Sequence, residues 1–128
     1  MLFRSSSAII IQGIGGSEVY EAKFAKWAAG LQGALIDDLG FSKDHVVLLA
    51  GEAARKESIE KAFAEMKKQV KPQDTFLLFL VGTGSFDSDY KLAIPGQDLT
   101  GTDYARLIDS LNPAKSVVVA GKIGRAHV

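Results

Sequence analysis

Four short apolar stretches alternate with longer amphipathic segments along the chain. The stretches occupy residues 8–12 (AIIIQ), 45–50 (HVVLLA), 75–81 (TFLLFLV) and 116–120 (SVVVA), and β-branched side chains are frequent in them. Because apolar side chains fall on both faces of each stretch, the pattern is typical of parallel strands that are covered on two sides. The sequence therefore predicts four buried strands that run in the same direction.

The segment between the first and second strands predicts a long helix. It begins at about Ser17, runs to about Leu39 and is followed by Gly40 as a C-cap glycine. Its apolar side chains recur at helical spacing and form one face, which we expect to pack in the core. The members of this face are Val19, Tyr20, Phe24, Trp27, Ala28, Leu31 and Leu35.

Two further helices and a hairpin complete the predicted elements. Residues 57–70 have an apolar helical face and end before a proline, and residues 103–111 end at an Asn-Pro pair. Thr100 and Asp103 have the spacing of a capping box, which predicts the start of the last helix. Residues 86–95, between the third strand and this helix, predict a small hairpin.

The order of these elements predicts an α/β fold, a three-layer sandwich with a mainly parallel sheet. Right-handed crossovers favour the strand order 2-1-3-4, in which the first and third strands are neighbours. Ligands of such sheets bind beyond the carboxyl ends of the strands, near the point where the strand order reverses. In this chain that edge carries the turns at residues 13–17 and 82–85.

Composition places the chain among ordinary globular domains. Its 128 residues are 47% hydrophobic and 23% charged, which excludes a disordered or collagen-like chain. The absence of cysteine excludes a disulfide scaffold, a thiolate metal site and a cysteine nucleophile within this sequence. The 15 basic and 15 acidic residues balance, so the charge pattern predicts no nucleic-acid partner.

Targeting signals and cofactor motifs are missing from the pattern. No apolar run approaches the roughly 20 residues that span a bilayer. The first residues lack the apolar core of a signal peptide. We therefore expect no membrane partner, with the cytoplasm as the default location, and we expect neither a metal nor a cofactor.

The last residues match a sequence used in library preparation. Residues 123–128 (IGRAHV) can be encoded by ATC GGA AGA GCA CAC GTC, which lies within a common short-read sequencing adapter that begins AGATCGGAAGAGC. We therefore expect residues 122–128 to be translated adapter and exclude them from fold reasoning. On this interpretation residues 1–7 are an amino-terminal extension and residues 8–121 are an incomplete domain from a longer gene. Without Lys122 and Arg125 the formal net charge is −2 instead of zero.

Two glycine-rich turns are the candidate ligand-binding elements, because glycine lets the backbone approach a ligand closely and present N–H groups to it. Their residues, which we predict to bind substrate, are Gly13, Gly15, Gly16, Gly82, Thr83, Gly84 and Ser85. A phosphate cradle at the start of the first helix is one interpretation of the first turn. However, Glu18 stands where the dinucleotide fingerprint has its third glycine, and no Walker lysine is present. A tight strand-to-helix turn that binds no ligand is the other interpretation.

Four segments together resemble a known family. They are GxGG-x₃-Tyr-x₃-Phe at residues 13–24, DxxLLFLVGxGS at residues 74–85, YKLxIPGxDLT at residues 90–100, and a proline followed by VVV at residues 113–119. This combination resembles a bacterial group of caspase-fold cysteine peptidases related to legumain. The resemblance covers residues 8–121, and its most specific parts are IPGxDLT and GxGS.

The resemblance implies a catalytic Cys-His dyad. In the family the histidine lies in a Gly-His-Gly loop after the third strand and the cysteine lies just past the fourth. Here Thr83 occupies the histidine position, and the cysteine position lies beyond Gly121 and is absent from this sequence. We therefore expect an amino-terminal fragment of a caspase/legumain-like peptidase domain that is catalytically inactive. Such a pseudoenzyme would have no catalytic residues, and its partner would be a peptide or a protein.

Several alternatives remain open. A flavodoxin-like module would bind a phosphate-bearing ligand at residues 13–17, and a protein-interaction domain would need no such ligand. His45 is expected at the amino end of the second strand, about a strand length from the glycine turns. Asp87 and Asp89 are either turn residues or part of a cation site. Asp98 either caps the last helix or faces the cleft.

Overall fold

The computed structural model describes residues 6–121. The strands are β1 (Ser6–Gln12), β2 (Val46–Leu49), β3 (Thr75–Val81), β4 (Gly84–Asp87), β5 (Asp89–Leu92) and β6 (Lys115–Gly121). The helices are α1 (Glu18–Gly33), α2 (Lys56–Lys67) and α3 (Gly101–Leu111). The predicted adapter tail at residues 122–128 and most of the predicted extension at residues 1–7 lie outside the described residues.

The central sheet is parallel throughout and has the order β2-β1-β3-β6. This order confirms the predicted arrangement, since β6 is the fourth predicted strand and β4 and β5 form a separate antiparallel hairpin. β1 and β3 pair along their full lengths, from Ser6 with Thr75 to Gln12 with Val81. The same register continues into β6, so three strands end at one level. The turns that follow β1 and β3 therefore begin side by side.

Helices cover the two faces of the sheet unequally. One face carries α2 and α3, whose apolar side chains pack on Ile9, Phe76 and Leu78. On the other face, α1 is the one α-helix found within residues 6–121, and it packs through Phe24 and Ala28 on the neighbouring strand residues. Alternate residues of β1 enter the two cores, as the period of two in a strand requires.

The predicted apolar face of α1 is only half buried. Phe24, Ala28 and Leu35 are in the core, whereas Val19 is 62% exposed and Trp27 is 51% exposed. The expectation that Trp27 lies in the core is therefore wrong. The physical reason is that α1 lies mainly over β1 and β2 and reaches β3 less, and no described helix covers the same face of β6.

The element boundaries differ from the predicted ones by a few residues. β1 begins two residues early, with Ser6 and Ser7 buried, and α2 ends at Lys67 before a turn that leads to Pro72. α1 passes at Ala34–Asp38 into a wider π-helical turn, after which Gly40 has a φ of 78°. Within residues 6–121 no helix has the length and apolar character needed to cross a membrane.

The end of α3 allows a test of the fold, because Asn112 is left-handed there with a φ of 52°. We expect Asn112→Ala to lower the free energy of unfolding by about 1 kcal/mol, since the short polar side chain of asparagine makes the left-handed conformation more accessible to it than to alanine. We expect Asn112→Gly to be tolerated, because glycine adopts this conformation without that cost. Urea denaturation measures both changes. The matched control is Ala105→Gly inside α3, which we expect to cost about 1 kcal/mol. Equal effects of glycine at both positions would contradict the assigned helix end.

Candidate functional site

The two glycine-rich turns are in contact at the carboxyl edge of the sheet. The N–H of Gly13 donates to the carbonyl oxygen of Val81 at 2.8 Å. Gly82 has a φ of 153°, and a Cβ at this position would lie 3.2 Å from the Cα of Gly13. The close approach of the two backbones therefore accounts for glycine at position 82. The predicted juxtaposition of the turns is present.

Ala93, just past the end of β5, joins both turns through its backbone. Its N–H donates to the carbonyl oxygen of Thr83 at 3.0 Å, and its own carbonyl oxygen accepts from the N–H of Ile14 at 2.8 Å. A Cβ at Gly13 would lie 2.6 Å from this carbonyl oxygen, so the backbone of Ala93 can pack here only against glycine. Ala93 is thus a residue of the site that the sequence pattern did not single out.

We call the edge formed by the two glycine-rich turns, residues 13–17 and 82–85, the rim. Thr83 and Ser85 form its solvent-facing side, and both are exposed. Between them, Gly84 lies under the ring of Tyr90 from the paired strand, and a Cβ at Gly84 would come within 2.5 Å of that ring. Tyr90 is half buried, and this burial raises the pKa of its phenol above the ordinary value. The Tyr90 hydroxyl therefore stays protonated at neutral pH and can act as a hydrogen-bond donor.

In the first glycine-rich turn, residues 13–17, a backbone N–H is already bound by a carboxylate of the same chain. The N–H of Gly15 donates to a carboxylate oxygen of Glu21, one turn into α1. A Cβ at Gly15 would lie 2.4 Å from the backbone nitrogen of Glu21, so the loop folds tightly onto the helix. Ser17 caps the helix by accepting from the N–H of Tyr20 at 3.3 Å. Gly16, with a φ of 82°, is exposed and has no neighbouring atoms within 4 Å of where its Cβ would be.

This arrangement disfavours the binding of an anion at the start of α1. A bound phosphate would need N–H groups and positive potential at the helix start. Here a carboxylate already accepts from Gly15, and both Glu18 and Glu21 place negative charge in the first turn. A phosphate group would have to displace Glu21 and approach two carboxylates.

Asp89 links the β4–β5 hairpin to α3 through hydrogen bonds. Its carboxylate accepts from the hydroxyl of Thr102 at 2.6 Å and from the Thr102 N–H at 3.2 Å. The hydroxyl hydrogen bond is the main reason why the pKa of Asp89 lies below its ordinary value. Next to it, Thr100 and Asp103 form the predicted capping box. Asp89 is therefore engaged at the start of a helix, which accounts for it without a cation.

The remaining predicted positions lie apart from the rim or serve the local backbone. Asp98 accepts from the N–H of Ile94 at 3.2 Å and so closes its own loop, which is neither of the two roles weighed for it. His45 ends the one-turn helix Lys43–His45 before β2, at the amino edge of the sheet as expected. Among the described residues, no group of three or more acidic, histidine or cysteine side chains could hold a metal ion.

Comparison with known proteins adds no assignment to this geometry. Neither the protein-family models nor the curated proteins include a match to this chain. The candidate site therefore stands on the contacts between its own residues.

The hydrogen bond of Glu21 gives a stability test with a built-in control. Glu18 and Glu21 both lie in the first turn of α1, so each replacement by alanine removes the same favourable helix-dipole interaction. Only Glu21→Ala also removes the acceptor of Gly15. We expect it to lower the free energy of unfolding by about 0.5–1.5 kcal/mol more than Glu18→Ala. Equal losses in urea denaturation would contradict this role of Glu21.

The lowered pKa of Asp89 predicts how stability depends on pH. A carboxylate with a folded pKa below its unfolded pKa stabilises the protein above the unfolded value, about 3.9, and loses that effect as pH falls through the folded value. We therefore expect Asp89→Asn to melt at a lower temperature than the wild-type chain at neutral pH, with the difference closing below about pH 4. Asp44→Asn, at an exposed position on the opposite edge, is the control. The same closing difference for Asp44→Asn would contradict the assignment.

Proposed function

We propose that this protein is a non-catalytic relative of the caspase/legumain-like peptidases that binds an extended peptide at the rim formed by its two glycine-rich turns. The observation that carries the proposal is the contact between the Gly82 turn and Gly13, with Thr83 exposed beside it. In the family that the sequence resembles, a catalytic histidine would stand where Thr83 stands. The protein would therefore bind a peptide without hydrolysing it.

The position of the rim supports a binding role. In parallel α/β sheets, ligands bind beyond the carboxyl ends of the strands, where the strand order reverses. The order β2-β1-β3-β6 reverses between β1 and β3, and these two strands lead into the two turns. The rim therefore occupies the position at which this architecture gives residues from distant parts of the chain access to one ligand.

The chemistry of the rim supports binding without hydrolysis. A peptidase of this kind needs a thiolate nucleophile and a base that takes up its proton. The resemblance places the base at position 83, and the threonine hydroxyl found there is not a base near neutral pH. His45 is level with Ser7 at the amino edge, about 17 Å along the strand direction from the level of Gln12. It therefore cannot reach a peptide bound at the carboxyl edge.

The exposed groups of the rim suit the backbone of a peptide. The hydroxyls of Thr83 and Ser85 can donate to peptide carbonyls and accept from peptide N–H groups. The turn that carries them is held by the bond from Ala93 to Thr83 and by the packing of Tyr90 over Gly84. A held turn loses little conformational freedom on binding, which favours affinity. A phosphate-bearing ligand at residues 13–17 is less well supported, because Glu21 and Glu18 stand at that position.

Two serines allow a matched test of the proposal. Ser85 is exposed on the rim, and Ser42 is exposed just before β2 at the opposite edge of the sheet. Peptides are first selected from a displayed random library on the immobilised full chain, and their affinities are then measured by fluorescence anisotropy. We expect Ser85→Trp to weaken binding about tenfold or more, equivalent to about 1.4 kcal/mol, while Ser42→Trp leaves it unchanged. Circular dichroism confirms that both variants are folded.

The same preparation tests the absence of catalysis. We expect no hydrolysis of a quenched-fluorescence peptide library by the full chain, at any pH at which the chain is folded. Failure to enrich any peptide, or equal weakening by both tryptophan variants, would contradict binding at the rim. Hydrolysis that disappears in Thr83→Val would contradict the non-catalytic assignment.

A further inference from the structure

The β4–β5 hairpin packs closely on the first turn of α3. The carboxylate of Asp89 accepts from the Thr102 hydroxyl at 2.6 Å and from the Thr102 N–H at 3.2 Å. Two residues further along β5, Lys91 forms an antiparallel bridge with Thr100. A Cβ at Gly101 would lie 2.8 Å from a carboxylate oxygen of Asp89, so glycine at the start of α3 leaves room for this carboxylate. The hairpin and the start of the helix are therefore fitted to each other.

The same hairpin carries the second glycine-rich turn of the rim. β4 begins at Gly84, so Ser85 lies within the hairpin and Thr83 directly precedes it. Ala93 follows β5 and donates to the carbonyl oxygen of Thr83 at 3.0 Å. Asp89 is the first residue of β5, and its distance from Ala93 is about 14 Å along an antiparallel strand. One end of the hairpin thus forms part of the rim, and the other end bonds to α3.

The position of the hairpin depends on contacts outside its own pairing. β4 and β5 form a separate sheet of two strands, and a hairpin of two strands is marginally stable by itself in water. Tyr90 and Leu92 attach it to the core through apolar contacts, which impose no direction. The two hydrogen bonds between Thr102 and Asp89 require particular distances and angles, so they restrict the orientation of the hairpin.

We propose that Asp89 is a positioning residue for the rim, because its hydrogen bonds with Thr102 hold the exposed hydroxyls of the rim where the backbone of a bound peptide meets them. This inference rests on the proposed binding of a peptide at the rim. Asp89 does not touch the peptide, since it lies about 14 Å from the rim along β5. It acts through the strand, and the start of α3 thereby becomes part of the support of the site.

Loss of these hydrogen bonds would weaken peptide binding without removing a contact to the peptide. A hairpin that is less firmly attached to α3 spends part of its time in orientations in which Thr83 and Ser85 are misplaced. The apparent affinity for a peptide then falls by the fraction of molecules that keep the binding-competent orientation. Substitutions that act in this indirect way change ligand affinity by about twofold to thirtyfold.

The first test compares three substitutions in α3, with affinities measured by fluorescence anisotropy for the peptides selected on the full chain. Thr102→Val removes the hydroxyl donor and changes the shape of the side chain little, and we expect it to weaken binding about threefold or more. Thr102→Ser keeps the hydroxyl and should bind almost as tightly as the wild-type chain. Ala105→Gly destabilises the same helix and should leave the affinity unchanged. Circular dichroism confirms that all three variants are folded.

The second test needs no peptide. The N–H groups of Ala93 and Ile14 donate between the segments that form the rim, so their amide chemical shifts in two-dimensional NMR spectra report the geometry of these hydrogen bonds. We expect both resonances to move in Thr102→Val and in Asp89→Ala, because each substitution removes a hydrogen bond that orients the hairpin. Both resonances should stay in place in Ala105→Gly.

The positioning role and the proposed function fail on different results. Equal weakening of peptide binding by Thr102→Val and Ala105→Gly would show a general effect of stability and would overturn the positioning role. Unmoved resonances of Ala93 and Ile14 in a folded Asp89→Ala variant would overturn it as well. Failure to select any peptide would contradict the proposed function, whereas the two resonances would still decide whether Asp89 orients the rim.

Discussion

The backbone of Ala93 is the contact on which the rim of this protein depends. It donates to Thr83 in one glycine-rich turn and accepts from Ile14 in the other, so it fixes the distance between two segments that are almost 70 residues apart in sequence. Both bonds use main-chain groups, and a side chain on Gly13 would collide with the Ala93 carbonyl oxygen. The geometry of the candidate site is therefore set by backbone pairing, and the exposed side chains of the turns are left available for a ligand.

The sheet could be predicted because its pattern is local and repeated. Each central strand is apolar on both faces, and right-handed crossovers then restrict the order to one that the structure confirms. What covers the faces could not be predicted in the same way. Helical spacing placed Val19 and Trp27 on an apolar face of α1, but spacing does not say whether another element lies opposite. Because α1 lies mainly over β1 and β2, both side chains are left exposed.

The two turns of the candidate site were also predictable, since the carboxyl ends of parallel strands share one edge of the sheet. The contacts that hold them were not. Ala93 acts through its backbone, so its identity in the sequence carries no signal for this role. Glu21 reaches back six residues to Gly15, a spacing that belongs to no standard capping motif. Thr100 and Asp103 were predictable because a capping box has a fixed spacing. The function of the rim, unlike its position, remains a proposal.

The bond between Asp89 and the start of α3 has a consequence for the dynamics of the domain. The Thr102 amide is protected only while β5 stays docked, because its acceptor belongs to the hairpin and not to the helix. If the hairpin detached, the hydrogen bonds of Asp89 to Thr102 and those of Ala93 to Thr83 and Ile14 would break together. Hairpin and helix start thus form one cooperative unit of local unfolding, whose amides exchange with solvent together.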